Sequence, residues 1–427
     1  MLIEFSVKNY RSIKEEQTLS LVKAKGNELE KTNSFTPDAP ASTELLRSVA
    51  IYGSNASGKS NVIKAMMAMD SIVSDSASSG QEGDHISVTP FLFDDMSSKE
   101  PTEFEIVFIN EGVRYQYGFT ASKTHILEEW LYAYPKGRPQ KWFNRAFNTE
   151  TNSSEYRFGD SLTGQKTVWQ NATRANALFL STAVQLNSEQ LKPVYNWFKK
   201  KLKMTDVSGW GHGYSASLCR EKETKDDVLS FLKSADFDIH DVKVVTKTFD
   251  LSSIPDEIPN DVKERIIKEF KDKEIIEELK TVHQTSDNNL VSLDFDEESD
   301  GTQKFFSFAG PWLDALKKGN ILVIDELHDS LHPKMVEYLV GLFHSKKTNP
   351  NNAQLIFTTH ETSILNQEVF RRDQIWFCEK DKTQATSLFP LTDFSPRKER
   401  ENIELGYLSG RYGALPFIRN IDLFEEL

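Results

Sequence analysis

Three stretches far apart in the chain carry residues suited to one chemical task. They are G-S-N-A-S-G-K-S at Gly53–Ser60, E-S-D-G-T-Q-K at Glu298–Lys304 and I-L-V-I-D-E at Ile321–Glu326. The first satisfies G-x-x-x-x-G-K-[ST], with Gly53, Gly58, Lys59 and Ser60 at the fixed places and Ser54, Asn55, Ala56 and Ser57 between them. Glycines let backbone N–H groups turn inward around phosphate oxygens, and a following helix presents its positive end to the anion. Lys59 would reach the β- and γ-phosphates of ATP, and the Ser60 hydroxyl would ligate Mg²⁺. In the third stretch Asp325 would hold Mg²⁺, directly or through water, while Glu326 would act as general base on the water attacking the γ-phosphate. Plain alternatives exist for each. Gly/Ser-rich loops match the first pattern by chance, and two acids at a strand end are often only solvated.

The flanking residues argue for the chemical reading. Arg47–Tyr52 is a short apolar run suited to a buried strand, and Asn61–Asp70 reads as a helix, so the loop lies between strand and helix. Ile321–Ile324 are four apolar residues in a row, as in a parallel strand covered on both faces. Such a strand delivers Asp325 and Glu326 at its carboxyl end, where open α/β sheets place ligands.

A further apolar run, Gln354–Thr358, leads into Thr359 and His360. A lone histidine is more often structural, but one at the end of the next core strand would contact the γ-phosphate or orient the water. Glu298–Thr302 precedes a helical stretch, Gln303–Lys318, so Ser299 and the Gly301 backbone lie where a helix start meets an anion. The phosphate loop already covers one side of a nucleotide. This second anion-binding turn would therefore act on the nucleotide of a partner subunit, its plain alternative being a helix N-cap.

With these segments in this order, the chain resembles the ABC-type ATPase heads of the SMC, RecF and OLD (overcoming lysogenization defect) group. It is similar to compact bacterial AAA or RloA-like ATPases without a Toprim domain, many of which belong to antiphage systems. The opening M-L-I-E-F-S-V-K-N-Y-R-S-I carries Asn9, Arg11 and Ser12 in the group's N-[FY]-R-S element, and the resemblance implies that Arg11 helps hold the nucleotide. It likewise puts Ser299 and Gly301 on the signature motif and His360 on the switch histidine, and Gly406–Pro416 looks like the group's carboxyl-terminal signature. Two departures stand out. His332 occupies the place where transporter-type ATPases carry an aspartate, and only Gln81, in a Ser/Gly-rich stretch, offers itself as a Mg²⁺-sensing glutamine.

The fold this implies is α/β: an ABC-ATPase-like P-loop head with a mixed core sheet, a flanking antiparallel β-subdomain and a helical insertion. The segments read as an N-terminal lobe over 1–185, a helical insertion over 186–240 and a C-terminal lobe over 241–427. Glu103–Ile109 and Val113–Phe119 are expected to form a hairpin around Asn110–Gly112, and Ser71–Asp84 reads as a loop. Helices are expected over Asn187–Leu202, Lys225–Leu232 and Asn260–Thr281, the last with Val262, Ile266, Ile267, Phe270 and Leu279 as its buried stripe. Strands are expected over Val242–Phe249 and Leu290–Phe295. The insertion is too short for an SMC-type coiled coil.

Composition narrows the partners. The net charge of −13, from 51 basic and 64 acidic residues, disfavours a broad DNA-coating surface, leaving nucleic acid an open question. The best local basic patch is Trp197–Lys203 with Lys192, a tentative docking surface or, more commonly for such runs, a solvated helix face. Two cysteines, Cys219 and Cys378, cannot form a disulfide framework. No apolar run approaches a membrane span of about 18 residues, which favours a cytoplasmic protein without a membrane partner. The expectation is an Mg²⁺-dependent ATPase that pairs its heads around ATP as a homodimer or higher homo-oligomer and controls a separate effector, a nuclease or toxin. The stretch after His360 is too short for a Toprim nuclease. A RecF-like clamp binding DNA directly is the alternative, and a transporter ATPase subunit a third reading.

Overall fold

A computed structural model of the chain describes residues 1–79, 81–206, 209–248, 263, 267, 274–397 and 401–416. The chain divides into two units, one of Met1–Ser208, Ala315–Asp329 and Val336–Leu427, the other of Gly209–Asp314 and Ser330–Met335. The fold is mixed α/β.

The first unit holds two sheets. The core sheet has six strands in the order Leu202–Thr205, Ile321–Ile324, Gln354–Thr358, Ser48–Gly53, Ile375–Lys380, Thr386–Pro390. The first five run parallel and the last antiparallel. Every residue of the three central strands is buried, which explains their continuous apolar runs: both faces are covered, so no alternation is needed. The strand with the two acids and the strand before the phosphate loop are not neighbours. Gln354–Thr358 lies between them and brings its own carboxyl end to the same edge.

The second sheet is antiparallel throughout, seven strands in the order Ser153–Phe158, Gln140–Asn148, Ile126–Tyr134, Val113–Ala121, Thr102–Asn110, Leu2–Lys8, Gln17–Ser20. The expected hairpin is present, closed at the Asn110 and Val113 pair. Glu111 and Gly112 both have positive φ, 50° and 74°, as a two-residue turn matching strand twist requires. The helix Lys59–Asp75 buries Val62, Ile63, Met66, Met69 and Val73 in one core with residues of both sheets. The helix thus runs on to Asp75, through part of the expected loop Ser71–Asp84, because Ile72 and Val73 keep to its buried side despite the serines around them.

The basic patch has its lysines on a helix face. The helix covers Lys192–Lys201, and Leu202–Thr205 is an edge strand pairing with Ile321–Ile324. Trp197 is 0 % and Phe198 1 % exposed, and the Trp197 ring stacks on Phe108 at 4.2 Å. These aromatics belong to the core, leaving only the lysines for solvent.

The second unit contains a three-stranded antiparallel sheet of Asp241–Thr248, Glu274–Gln284 and Leu290–Asp294, with the helix Lys222–Ser234. Where a helix was expected up to Thr281, Glu274–Gln284 is a strand. Its isoleucines, Leu279 and Val282 fit helical spacing, but pairing on both sides decides for strand. Val262, Ile266 and Phe270 of the expected stripe, and Phe249, lie outside the described residues. The helix Asp300–Lys318 begins one residue after Ser299.

Candidate functional site

The phosphate loop leaves the buried strand at Gly53 and enters its helix at Lys59. Two glycines are set by close approach. A Cβ on Gly53 would stand 2.4 Å from the Cys378 carbonyl oxygen, and one on Gly58, whose φ is 106°, would stand 2.1 Å from Thr386 Oγ1. Behind the loop runs a hydrogen-bond chain. Asn61 Nδ2 donates to Ser12 Oγ at 2.7 Å, Ser12 Oγ lies 2.7 Å from Thr386 Oγ1, and the Thr386 hydroxyl donates to the Ser57 carbonyl at 2.9 Å. Ser12 of the N-Y-R-S element therefore braces the loop. Its neighbour Arg11 is exposed, with φ 51° and Nε donating to the Tyr10 hydroxyl at 3.2 Å, and is not among the residues lining the cleft.

That cleft, of about 450 Å³, is lined by Asn55, Ala56, Ser57, Gly58, Lys59, Ser60, Asn61, Glu326, His360 and Lys380. Lys59 Nζ donates to the Gly53 and Ser54 carbonyls at 2.9 and 3.0 Å. Burial pulls its ammonium below the ordinary value, opposed by the nearby Glu326 and Asp325.

The two acids are set by a third residue. Thr358, at the end of the neighbouring strand, donates its hydroxyl to Asp325 Oδ1 at 2.6 Å and accepts the Glu326 N–H at 2.7 Å. Asp325 is 2 % exposed, and its second oxygen, Oδ2, is buried without a hydrogen-bond partner among the described residues. A buried carboxylate oxygen left unsatisfied costs free energy, and a cation beside it removes that cost. The donor types fit a hard divalent ion such as Mg²⁺: the Asp325 carboxylate, next in sequence to the cleft-lining Glu326, and the Ser60 hydroxyl that lines the cleft.

Glu326 has φ 55°, a left-handed conformation rare for a glutamate and of the kind found at functional sites. Its Oε1 lies 3.8 Å from His360 Nε2, too far for a hydrogen bond, and both side chains are 31 % exposed. Burial, with Lys59 next, lowers the His360 pKa to about 4, so the ring is neutral near pH 7. A second imidazole, His328, stands edge-on to it at 5.5 Å, its pKa also lowered by burial.

Sequence reasoning missed Asn61, Thr358, His328 and Lys380 in these roles. Lys380 reaches the cleft through strand pairing, not through a local pattern: its strand passes Gly53 in register at Cys378 and ends two residues later. Gln81 sits exposed in a turn closed by Asp84 and does not line the cleft. The Gly406–Pro416 signature is packing: Tyr407 and Tyr412 stack on Phe377 at 5.3 and 5.7 Å, and Tyr407 stands edge-on to Tyr52 of the phosphate-loop strand.

Ser299 and Gly301 belong to the second unit. Ser299 Oγ accepts the Thr302 N–H at 3.2 Å and lies 2.8 Å from the Thr302 hydroxyl, which caps the helix start. His332 is in this unit too, its Nδ1 accepting the Lys334 N–H at 3.2 Å. Among the described residues no helix is long and apolar enough to cross a membrane.

Among solved structures, the chain is similar to the SMC head domain from Thermotoga maritima, at 12% identity over 91% of this chain and 98% of that one, with a TM-score of 0.40. It is also similar to the recombination mediator protein RecF with ATP, at 13% identity over 85% and 94%, with a TM-score of 0.34. No functionally curated protein matches the sequence. The domain family described as "AAA domain, putative AbiEii toxin, Type IV TA system" matches residues 48–366 of the 427, from the phosphate-loop strand to just past His360, and the chain belongs to that family.

Proposed function

We propose that the chain binds and hydrolyses ATP with Mg²⁺ at the phosphate-loop cleft, and that each site is completed by the Ser299–Gly301 turn of a second copy. The observation carrying the first part is convergence: Lys59, Ser60, Glu326 and His360 line one cleft, and Asp325, next in sequence to Glu326, holds a buried carboxylate oxygen with no partner among the described residues. The Gly53–Ser60 backbone and the helix start would cradle the phosphates. Lys59, now on two loop carbonyls, would find stronger acceptors in phosphate oxygens. Mg²⁺ held by Ser60 and Asp325 would supply charge neutralisation at the phosphates. Glu326 would accept the proton of the attacking water, and neutral His360 would orient that water or the γ-phosphate through hydrogen bonds. Arg11 is proposed as a peripheral nucleotide contact only.

The trans arrangement is supported by the existence of two separate anion-suited elements and by the family resemblance of Ser299 and Gly301. On this reading, lobes 1–185 and 241–427 carry the two halves of the chemistry, with 186–240 between them. The biological role we infer is regulation of a toxin-like or antiphage system, the nucleotide state of paired heads holding or releasing a separate effector. The family's description, which names a toxin and a toxin–antitoxin system, supports this. Purified protein should then hydrolyse ATP and leave DNA and RNA intact. Metal-dependent cleavage of nucleic acid by the pure chain would overturn the effector reading.

The shared site is tested by mixing two inactive variants, Lys59→Ala and Ser299→Arg. A mixed dimer has one site with both defects and one with neither, so partial hydrolysis should return. No recovery despite demonstrated mixed dimers would refute the shared site.

A further inference from the structure

The serine-glycine turn is held by a clamp that lies outside it. Glu298, immediately before Ser299, lays its carboxylate against the three-stranded sheet. There its Oε1 lies 2.7 Å from His283 Nε2 and also accepts the Thr281 hydroxyl. The other nitrogen of the ring, Nδ1, lies 3.1 Å from the Asp238 carbonyl oxygen. Both ring nitrogens therefore face oxygen atoms, so the ring is held at both ends. The Glu298 side chain is 9 % exposed. Its carbonyl accepts Gln303 Nε2 at 2.9 Å, which ties the first helical turn back to the same residue. On the other side of the turn, a Cβ on Gly301 would come 3.2 Å from the Ser330 carbonyl oxygen.

This arrangement answers an electrostatic difficulty. A carboxylate one residue from a phosphate-facing serine carries the wrong charge for a triphosphate, and at a few ångströms the repulsion is large. Left free, it would also compete for the N–H donors at the helix start. Charge-assisted hydrogen bonds from the sheet hold it away from that position.

We propose that His283 is a positioning residue of the ATP site. With Thr281 it withdraws the Glu298 carboxylate, so that Ser299 and the Gly301 backbone meet the nucleotide of a second copy with one fewer acidic group beside them, the exposed Asp300 staying within the turn. This rests on the shared-site reading above. His283 touches no reacting atom and acts through Glu298 alone.

The test uses the full-length mixture of Lys59→Ala and Ser299→Arg subunits, in which the one whole site takes its serine-glycine turn from the Lys59→Ala subunit. His283→Ala added to that subunit should cut the recovered hydrolysis by about ten- to a hundredfold. The same change in the Ser299→Arg subunit should leave it within about twofold. Nucleotide affinity of the separate protomers should not move. Adding Glu298→Gln to His283→Ala should restore activity, since the harm comes from the released carboxylate, and a purely structural clamp would give no such rescue. Should His283→Ala fail to fold, Thr281→Val loosens the same carboxylate and should show a smaller loss with the same dependence on which subunit carries it. Equal loss from either subunit, no loss, or no rescue overturns the role of His283 while the shared site stands. Absence of recovery in the parent mixture refutes the shared site itself, and this proposal with it.

Discussion

The phosphate-loop cleft and the serine-glycine turn are both suited to phosphate, yet they are held by different forces. In the cleft, position comes from backbone. Gly53, Asp325 and Thr358 stand at the ends of three parallel strands whose register fixes them to one edge. Side-chain hydroxyls then hold what the strands bring together, Thr358 the two acids and Ser12 with Thr386 the loop. The turn has no such frame. It sits at a helix start, capped by Ser299 itself and steadied through Glu298 by His283 and Thr281. An element framed by strands tolerates little backbone change, whereas one steadied by side chains can be altered without disturbing the rest of the chain.

The largest contrast should appear in chemistry. Lys59→Ala should weaken nucleotide binding by about 2–5 kcal/mol and abolish hydrolysis, as when one partner of a buried charge pair is removed. Glu326→Gln should keep binding while slowing hydrolysis on the order of 10²–10⁴-fold. Equilibrium binding and steady-state turnover measured side by side separate the two, and parental turnover in Glu326→Gln would remove it from the role of base. On the shared-site proposal Ser299→Arg should match the hydrolytic loss yet leave the affinity of an isolated protomer unchanged. A loss of protomer affinity would erase the contrast drawn here.

Stability should follow next in size. Gly58→Ala forces a Cβ into Thr386 at a left-handed φ, and about 1–3 kcal/mol of destabilisation is expected in thermal or denaturant unfolding. Ser299→Ala removes only a helix cap, worth about 1 kcal/mol. If Ser299→Ala proved the more damaging, the turn would be the more rigidly framed of the two.

The smallest effect concerns pH. The His360 pKa is lowered by burial to about 4, below its unfolded value, so the native ring resists a proton that the unfolded chain accepts. Its contribution to stability is present above about pH 6.5 and is lost as pH falls toward 4. Turnover should therefore show no inflection from His360 between pH 8 and about 6. An inflection near pH 6.5 that disappears on His360→Gln would contradict the neutral ring.

The cleft was far more legible in the sequence than the turn's support, for a physical reason. Gly53–Ser60 and Asp325–Glu326 are local patterns, and the buried runs that position them announce themselves as apolar strings. Thr358 and His328 became visible only when separate strands met, since a threonine gains its role from the acid opposite it. His283 and Glu298 are fifteen residues apart, and the strand that carries His283 begins within a stretch whose spacing up to Thr281 suggests a helix. The basic run at Trp197–Lys203 kept the more common of its two readings, lysines on the solvated face of a helix. Amphipathic spacing was real, but the aromatics faced the core and the last residues formed an edge strand whose lysine is a common protection for sheet edges.

The central claim, a site shared between two copies, meets its most direct test in how turnover depends on protein concentration. With ATP and Mg²⁺ saturating and sedimentation run in parallel, activity per protomer should rise with concentration as pairs form and then level off. It should stay negligible throughout for Ser299→Arg. Constant activity per protomer from a chain shown to be monomeric across the whole range would mean that each copy completes its own site.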